Sequence, residues 1–225
     1  MRRLSILAAI AASISPLATA TAQEPGPELD RFYLRLSSGP RALSRMTGCL
    51  VNQHPAEARS MFDNDPGSAA FQQAYQLLFE NGGNCLFGPY DLRASFLMAM
   101  GAVAERLIRE DKPVKPVRPV ATIEFNGGGT FQWAWQNLPP ATAQQSMPIA
   151  ECLLSRYGDK VEAVLDARQT SAGERNAFNA MRAEISDCIP AGQQRTLQPQ
   201  ILRAALAATY YRAARLSARS SEVGG

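Results

Sequence analysis

The chain of 225 residues contains one histidine, His54, so a histidine-rich metal site is excluded and imidazole chemistry has a single candidate. No G-x-S-x-G, H-E-x-x-H or S-x-x-K pattern occurs, which removes the common serine-hydrolase, zinc-protease and β-lactamase signatures. The four cysteines include no C-x-x-C pair, leaving no zinc ribbon and no thioredoxin-type redox motif. Lys+Arg number 23 against 20 Asp+Glu, a surplus of +3 that is too small to argue for nucleic acid. Past the first twenty-odd residues, no run reaches the ~18 apolar residues that a spanning helix requires.

The N-terminus itself reads as an address. Arg2 and Arg3 precede a small and apolar run from Leu4 to Leu17, and Ala18-Thr19-Ala20 or Ala20-Thr21-Ala22 supplies the small residues of a signal-peptidase site. Residues 1–22 are therefore expected to be a cleaved signal peptide, with no cysteine nearby for a lipid anchor. Their removal takes two of the 23 basic residues and no acid, so the surplus falls from +3 to +1. The mature chain is expected to be periplasmic or secreted. In such an oxidising compartment an even number of cysteines favours disulfides over thiol chemistry.

Cys49 and Cys85 are 36 positions apart, and so are Cys152 and Cys188. A shift of 103 superimposes the two pairs and brings Leu50 onto Leu153, Asp63 onto Asp166, Ser68 onto Ser171 and Ala74 onto Ala177. Apolar character stays in phase at Val51/Leu154, Met61/Val164, Phe62/Leu165 and Tyr75/Phe178, among others. After a further shift of seven, Leu92-Arg93-Ala94-Ser95 matches Leu202-Arg203-Ala204-Ala205, the extra residues falling between Pro190 and Pro199. The pattern predicts an internal repeat. Of the three pairings open to four cysteines, Cys49–Cys85 with Cys152–Cys188 is the one a duplicated unit would inherit.

Each copy reads as four helical segments. In the first, Leu43, Met46 and Leu50 share a face, Pro55 to Asp63 follows, and Ser68 caps a helix with a Phe71/Tyr75/Leu78 stripe that Gly82-Gly83 ends. A fourth helix, from about Asp91 to Glu110, places Phe96, Met100, Val103 and Leu107 together. The second copy repeats this with Ile149/Cys152/Leu153, Val161/Val164/Leu165 and Phe178/Met181/Ile185, then a last helix from about Gln200 to Ala218. Arg203, Arg212, Arg215 and Arg219 read as a solvated face of that helix, with acidic lipid headgroups or polymers as the alternative contact.

Between the copies, Pro113, Pro116 and Pro119 recur at the three-residue period of polyproline II. Asn126-Gly127 then sits between Ile123/Phe125 and Phe131/Trp133/Trp135, the alternation of a short β-hairpin. Trp133 and Trp135 either plug the junction or form a candidate binding surface for carbohydrate or peptide. The expected fold is mainly α: two tandem four-helix units related by internal duplication, with that hairpin at the junction. The segments are residues 1–22, 23–110, 111–140, 141–219 and a disordered tail at 220–225.

The chain, from about residue 40 to 216, resembles exported bacterial helical proteins that carry C-L-[VL], C-[LI] and L-R-A-[SA] in a duplicated unit. That resemblance implies export and a helical fold, and it carries over no activity and no site residues. Asp63 and Asp65 flank Asn64 like the start of a calcium loop, but the required Gly and closing Glu are missing and Pro66 interrupts. Asp63 and Asp166 are expected to mark helix ends, and His54 to cap a helix or face solvent. No catalytic, cofactor-binding or metal-ligating residue is predicted. The leading expectation is a non-enzymatic envelope or interaction protein whose partner is an envelope protein or polymer. The alternatives are a carboxylate-dependent hydrolase of envelope polymers and a small-molecule binder using a cleft between the units.

Overall fold

The computed structural model describes residues 42–64, 68–80, 95–113, 140–189 and 197–223, together with Gly39, Cys85, Lys115 and Pro116. The signal segment, the hairpin with Trp133 and Trp135, and Asp65 lie outside the described residues. Serines open three of the helices. Ser68, Ser95 and Ser171 each sit in extended backbone and accept a hydrogen bond from the N–H three residues on, at Phe71, Met98 and Glu174 (3.1, 3.3 and 3.1 Å). A hydroxyl placed there satisfies an amide the helix cannot. Pro55 opens another helix, where its missing N–H costs nothing.

The resulting order is α1 (42–53), α2 (Pro55–Asp63), α3 (Ala69–Tyr75, continuing as a π-helical turn Gln76–Glu80) and α4 (Phe96–Asp111). It continues with α5 (Pro140–Asp166), α6 (Ala172–Ala180), α7 (Arg182–Asp187) and α8 (Pro199–Val223). No strand occurs among the described residues. The expected Pro55–Asp63 segment and the Ser68 cap are found as read. Because Ser95 is extended, α4 begins at Phe96 and not at Asp91. α8 runs on to Val223, so the expected tail from Ser220 is helical for most of its length. Asp63 and Asp166 do end helices, α2 and α5. His54 stands at the start of α2, half-buried, and its side chain makes no cap bond.

Both expected disulfides are formed. Cys49 on α1 joins Cys85 beyond the π turn, and Cys152 on α5 joins Cys188 beyond α7, with Cα–Cα distances of 5.5 and 5.7 Å. No cysteine is free. Two such bridges point to an oxidising, non-cytoplasmic compartment. No helix among the described residues is long and apolar enough to cross a membrane.

Two hydrophobic cores organise the helices, one around Phe62, Phe71, Leu78, Val103 and Leu107, the other around Ile149, Leu153, Val161, Val164 and Met181. α8 enters both. It gives Ala207, Ala208 and Tyr211 to the first core and Leu202, Ala205, Leu206 and Tyr210 to the second. Every residue from Ile201 to Ala214 is buried, so this helix is enclosed on all sides. The alanines that allow this also permit close packing against α4. A Cβ at Gly101 would stand 2.4 Å from the Ala204 Cα, and only glycine fits. Two tandem four-helix units were expected; the described helices belong to one compact body in which α8 contributes to both cores.

Candidate functional site

Arg203 lies two residues into the buried stretch of α8, where an unpaired guanidinium would be costly. Its side chain is 3% exposed. All five of its N–H donors find acceptors. Nε and Nη2 donate to the two oxygens of Glu105 on α4 (2.7 and 3.2 Å). Nη1 donates to Glu174 on α6 (3.2 Å) and to the Val164 carbonyl (2.5 Å), and Nη2 also donates to the Leu165 carbonyl (3.1 Å). Those two carbonyls belong to the last turn of α5, where no intrahelical partner remains and the helix dipole favours a cation.

One side chain thus ties α8 to α4, to the end of α5 and to the start of α6. Glu174 completes the joint: it stands three residues after the Ser171 cap and accepts from the Thr170 N–H at 2.5 Å, a variant of the capping box. Gln169 donates to Glu105 at 2.9 Å. The solvated arginine face expected from the sequence is therefore corrected. Arg203 and Arg212 are buried, and Arg215 and Arg219 pair with Asp63. Burial overrides the surface reading because α8 is surrounded.

The second charged cluster lies further along α8. Arg215 makes two 2.8 Å bonds to the Asp63 carboxylate, Arg219 faces the same group, and Arg212 donates to the Asn64 carbonyl at 3.0 Å. Burial pushes the Asp63 carboxyl upward, but the hydrogen bonds from Arg215 and Arg219 outweigh it and hold the net value below the usual range. Nearby, Arg59 of α2 and the Tyr211 hydroxyl both donate to Asp111. The Arg59 bond holds Asp111 low against its burial, with help from Tyr211. Burial, then the Asp111 bond, raises Tyr211 well above its ordinary value.

Beside Arg203 opens a cleft of about 1000 Å³ between α1, the second half of α4 and the turn from α5 to α6. Its walls carry Arg45, Arg106, Arg109, Lys112 and Arg168, with Arg203 at the back. Ile108 and Leu165 lie on it too, and each packs against both hydrophobic cores. The cleft therefore sits over the seam where the cores meet. No group of three or more metal-ligating side chains occurs among the described residues.

Compared with known protein families, curated proteins and solved structures, the chain matches none. Of the residues singled out from sequence, the disulfide cysteines come together as paired, whereas Trp133 and Trp135 fall outside the description. The buried triad of Glu105, Glu174 and Arg203 was missed. One signal for it existed: Ser171-x-x-Glu174 is a capping-box pattern, and Arg203 interrupts an otherwise apolar and small-residue run from Ile201 to Ala208.

Proposed function

We propose that the chain is an exported, disulfide-stabilised protein of the cell envelope that acts by binding and not by catalysis. The observation that carries this reading is the occupancy of the buried carboxylates. A carboxylate hydrolase needs one acid and one base facing a substrate across a cleft. Glu105 and Glu174 instead face a common guanidinium, and their oxygens accept from Arg203, Gln169 and the Thr170 N–H.

Export by the segment 1–22 is supported by the oxidised cysteines. The repeat reading draws support from matched local features 103 positions apart: the caps Ser68 and Ser171, the helix break at His54 and the non-helical backbone at Tyr157, and two disulfides each spanning 36 positions. The cleft over the seam is the surface that suits a ligand.

Purified mature protein, incubated with isolated envelope polymer, tests the reading. Co-sedimentation with no released fragments in mass spectra supports it. Release of polymer fragments that ceases in Glu105→Gln or Glu174→Gln overturns it. N-terminal sequencing of the protein from the envelope fraction should begin after Ala20 or Ala22, and an intact Met1 would remove the signal-peptide part.

A further inference from the structure

We infer that the cleft beside Arg203 is a binding site for a ligand bearing clustered oxyanions, phosphate or carboxylate groups in close array. The inference rests on the binding reading above and specifies its ligand chemistry. Charge segregation is the first ground. The cleft walls hold six cations (Arg45, Arg106, Arg109, Lys112, Arg168 and Arg203) against two carboxylates, Glu105 and Asp166, and with the ion-pair partners Glu110 and Glu174 counted the local surplus is two. The chain without residues 1–22 has a surplus of only +1. A concave surface lined by one sign focuses its field into the opening.

The second ground is the distribution of partners. Arg203 is occupied with Glu105 and Glu174, and Arg106 pairs with Glu110. Arg109 stands at a long 3.5 Å from Glu105. Arg45, Lys112 and Arg168 are exposed and meet no carboxylate among the described residues. Cations past the ends of α4 and α5 complement helix dipoles, which accounts for Lys112 and Arg168 in part. It does not account for Arg45, which reaches the same cleft from α1.

Backbone conformation supplies the third ground. Lys112 (φ 44°) and Thr170 (φ 61°) are the non-glycine residues with positive φ among the described residues, and both line this cleft. Left-handed backbone is disfavoured for side chains, most of all β-branched ones such as threonine. At Lys112 it is the left-handed cap that ends α4, with its N–H bonded to the Ile108 carbonyl, so Thr170 is the strained position that marks the cleft. Guanidinium groups offer paired N–H donors matched to phosphate and carboxylate oxygens, and the Thr170 hydroxyl adds a neutral donor beside them.

Calorimetric titration of the full mature protein with inorganic tripolyphosphate, and separately with citrate, tests the site. The expected result is saturable binding of at least one anion, weakening as salt rises. The winning anion identifies the phosphate or the carboxylate arm. Arg45→Ala with Arg168→Ala should weaken that binding by ~10-fold or more, while Arg45→Lys with Arg168→Lys, which keeps the charge and loses the paired donors, weakens it less. The melting temperature of both double variants should match the parent, which a merely dipole-capping role would not give. Heat from neither anion, or equal binding by the Ala and Lys variants, overturns the site. Should the cleft fail while polymer co-sedimentation persists, only this inference falls. Failure of both removes the binding reading as well.

Discussion

Arg203 and Arg215 stand twelve positions apart on α8, ~18 Å along the helix axis, and do the same job in opposite surroundings. Each closes the C-terminal end of an earlier helix: Arg203 meets the last carbonyls of α5, and Arg215 meets Asp63 at the end of α2. The Arg203 joint is dry, with side-chain exposures of 3% and 5% across its closest pair, whereas Arg215 and Asp63 remain 32% and 23% exposed. Burial, and not geometry, sets the difference in consequence. A half-exposed pair is shielded by water and contributes little, while a buried pair cannot lose one partner without stranding the other.

The comparison breaks most sharply at Arg203→Met. That variant leaves Glu105 and Glu174 buried without their cation and should cost ~3–5 kcal/mol in chemical denaturation. Adding Glu105→Leu should recover much of the loss, because the principal unpaired charge is then gone. Removing a disulfide near the same end, as Cys152→Ser with Cys188→Ser, should cost ~3–4 kcal/mol on the chain-entropy view of the 36-residue loop. Reductant should destabilise the parent by more than the variant, the excess matching the loss caused by the substitutions, because only the Cys49–Cys85 bridge remains to be opened in the variant.

Gly101→Ala probes the packing that holds the two ends in one helix. Helix propensity alone predicts a gain of ~1 kcal/mol. The 2.4 Å approach of Ala204 predicts a loss of ~1–3 kcal/mol, because backbone and not a flexible side chain must move. The sign of the measured change decides between them. The smallest effect belongs to Asp63→Asn, below ~1 kcal/mol near neutral pH.

Acid titration sharpens that last case. Asp63 and Asp111 are held below the ordinary carboxyl value of 3.8, so the unfolded chain binds protons more readily than the folded one. Their contribution is complete above pH 3.8 and is lost as pH falls through the lower folded values. Melting temperature should therefore drop on that acid limb, and less steeply in Asp63→Asn. Tyr211 acts oppositely: its raised value gives a contribution present below its ordinary value of 10.0 and lost only in stronger alkali.

Much of the fold was legible because it is local. A serine before a helical stripe, a proline at a first turn and matched cysteine spacings each act over a few residues or one covalent bond. They located Ser68, Pro55–Asp63 and both disulfides. The buried joint was not legible, since Glu105 and Arg203 are 98 positions apart and each alone resembles an exposed charge. Whether an arginine on α8 faces water depends on how many neighbours enclose the helix, which periodicity does not report. The cleft has the same origin: Arg45, Lys112 and Arg168 come from three distant segments, and their convergence is a property of packing.

The shared helix also sets the order of events when the chain is made. Synthesis delivers α8 after every other described helix, yet both cores take essential side chains from it. Until it emerges, Phe62 and Phe71 on one side and Leu153 and Val161 on the other have no finished shelter. Neither core can therefore reach its final packing before α8 is present.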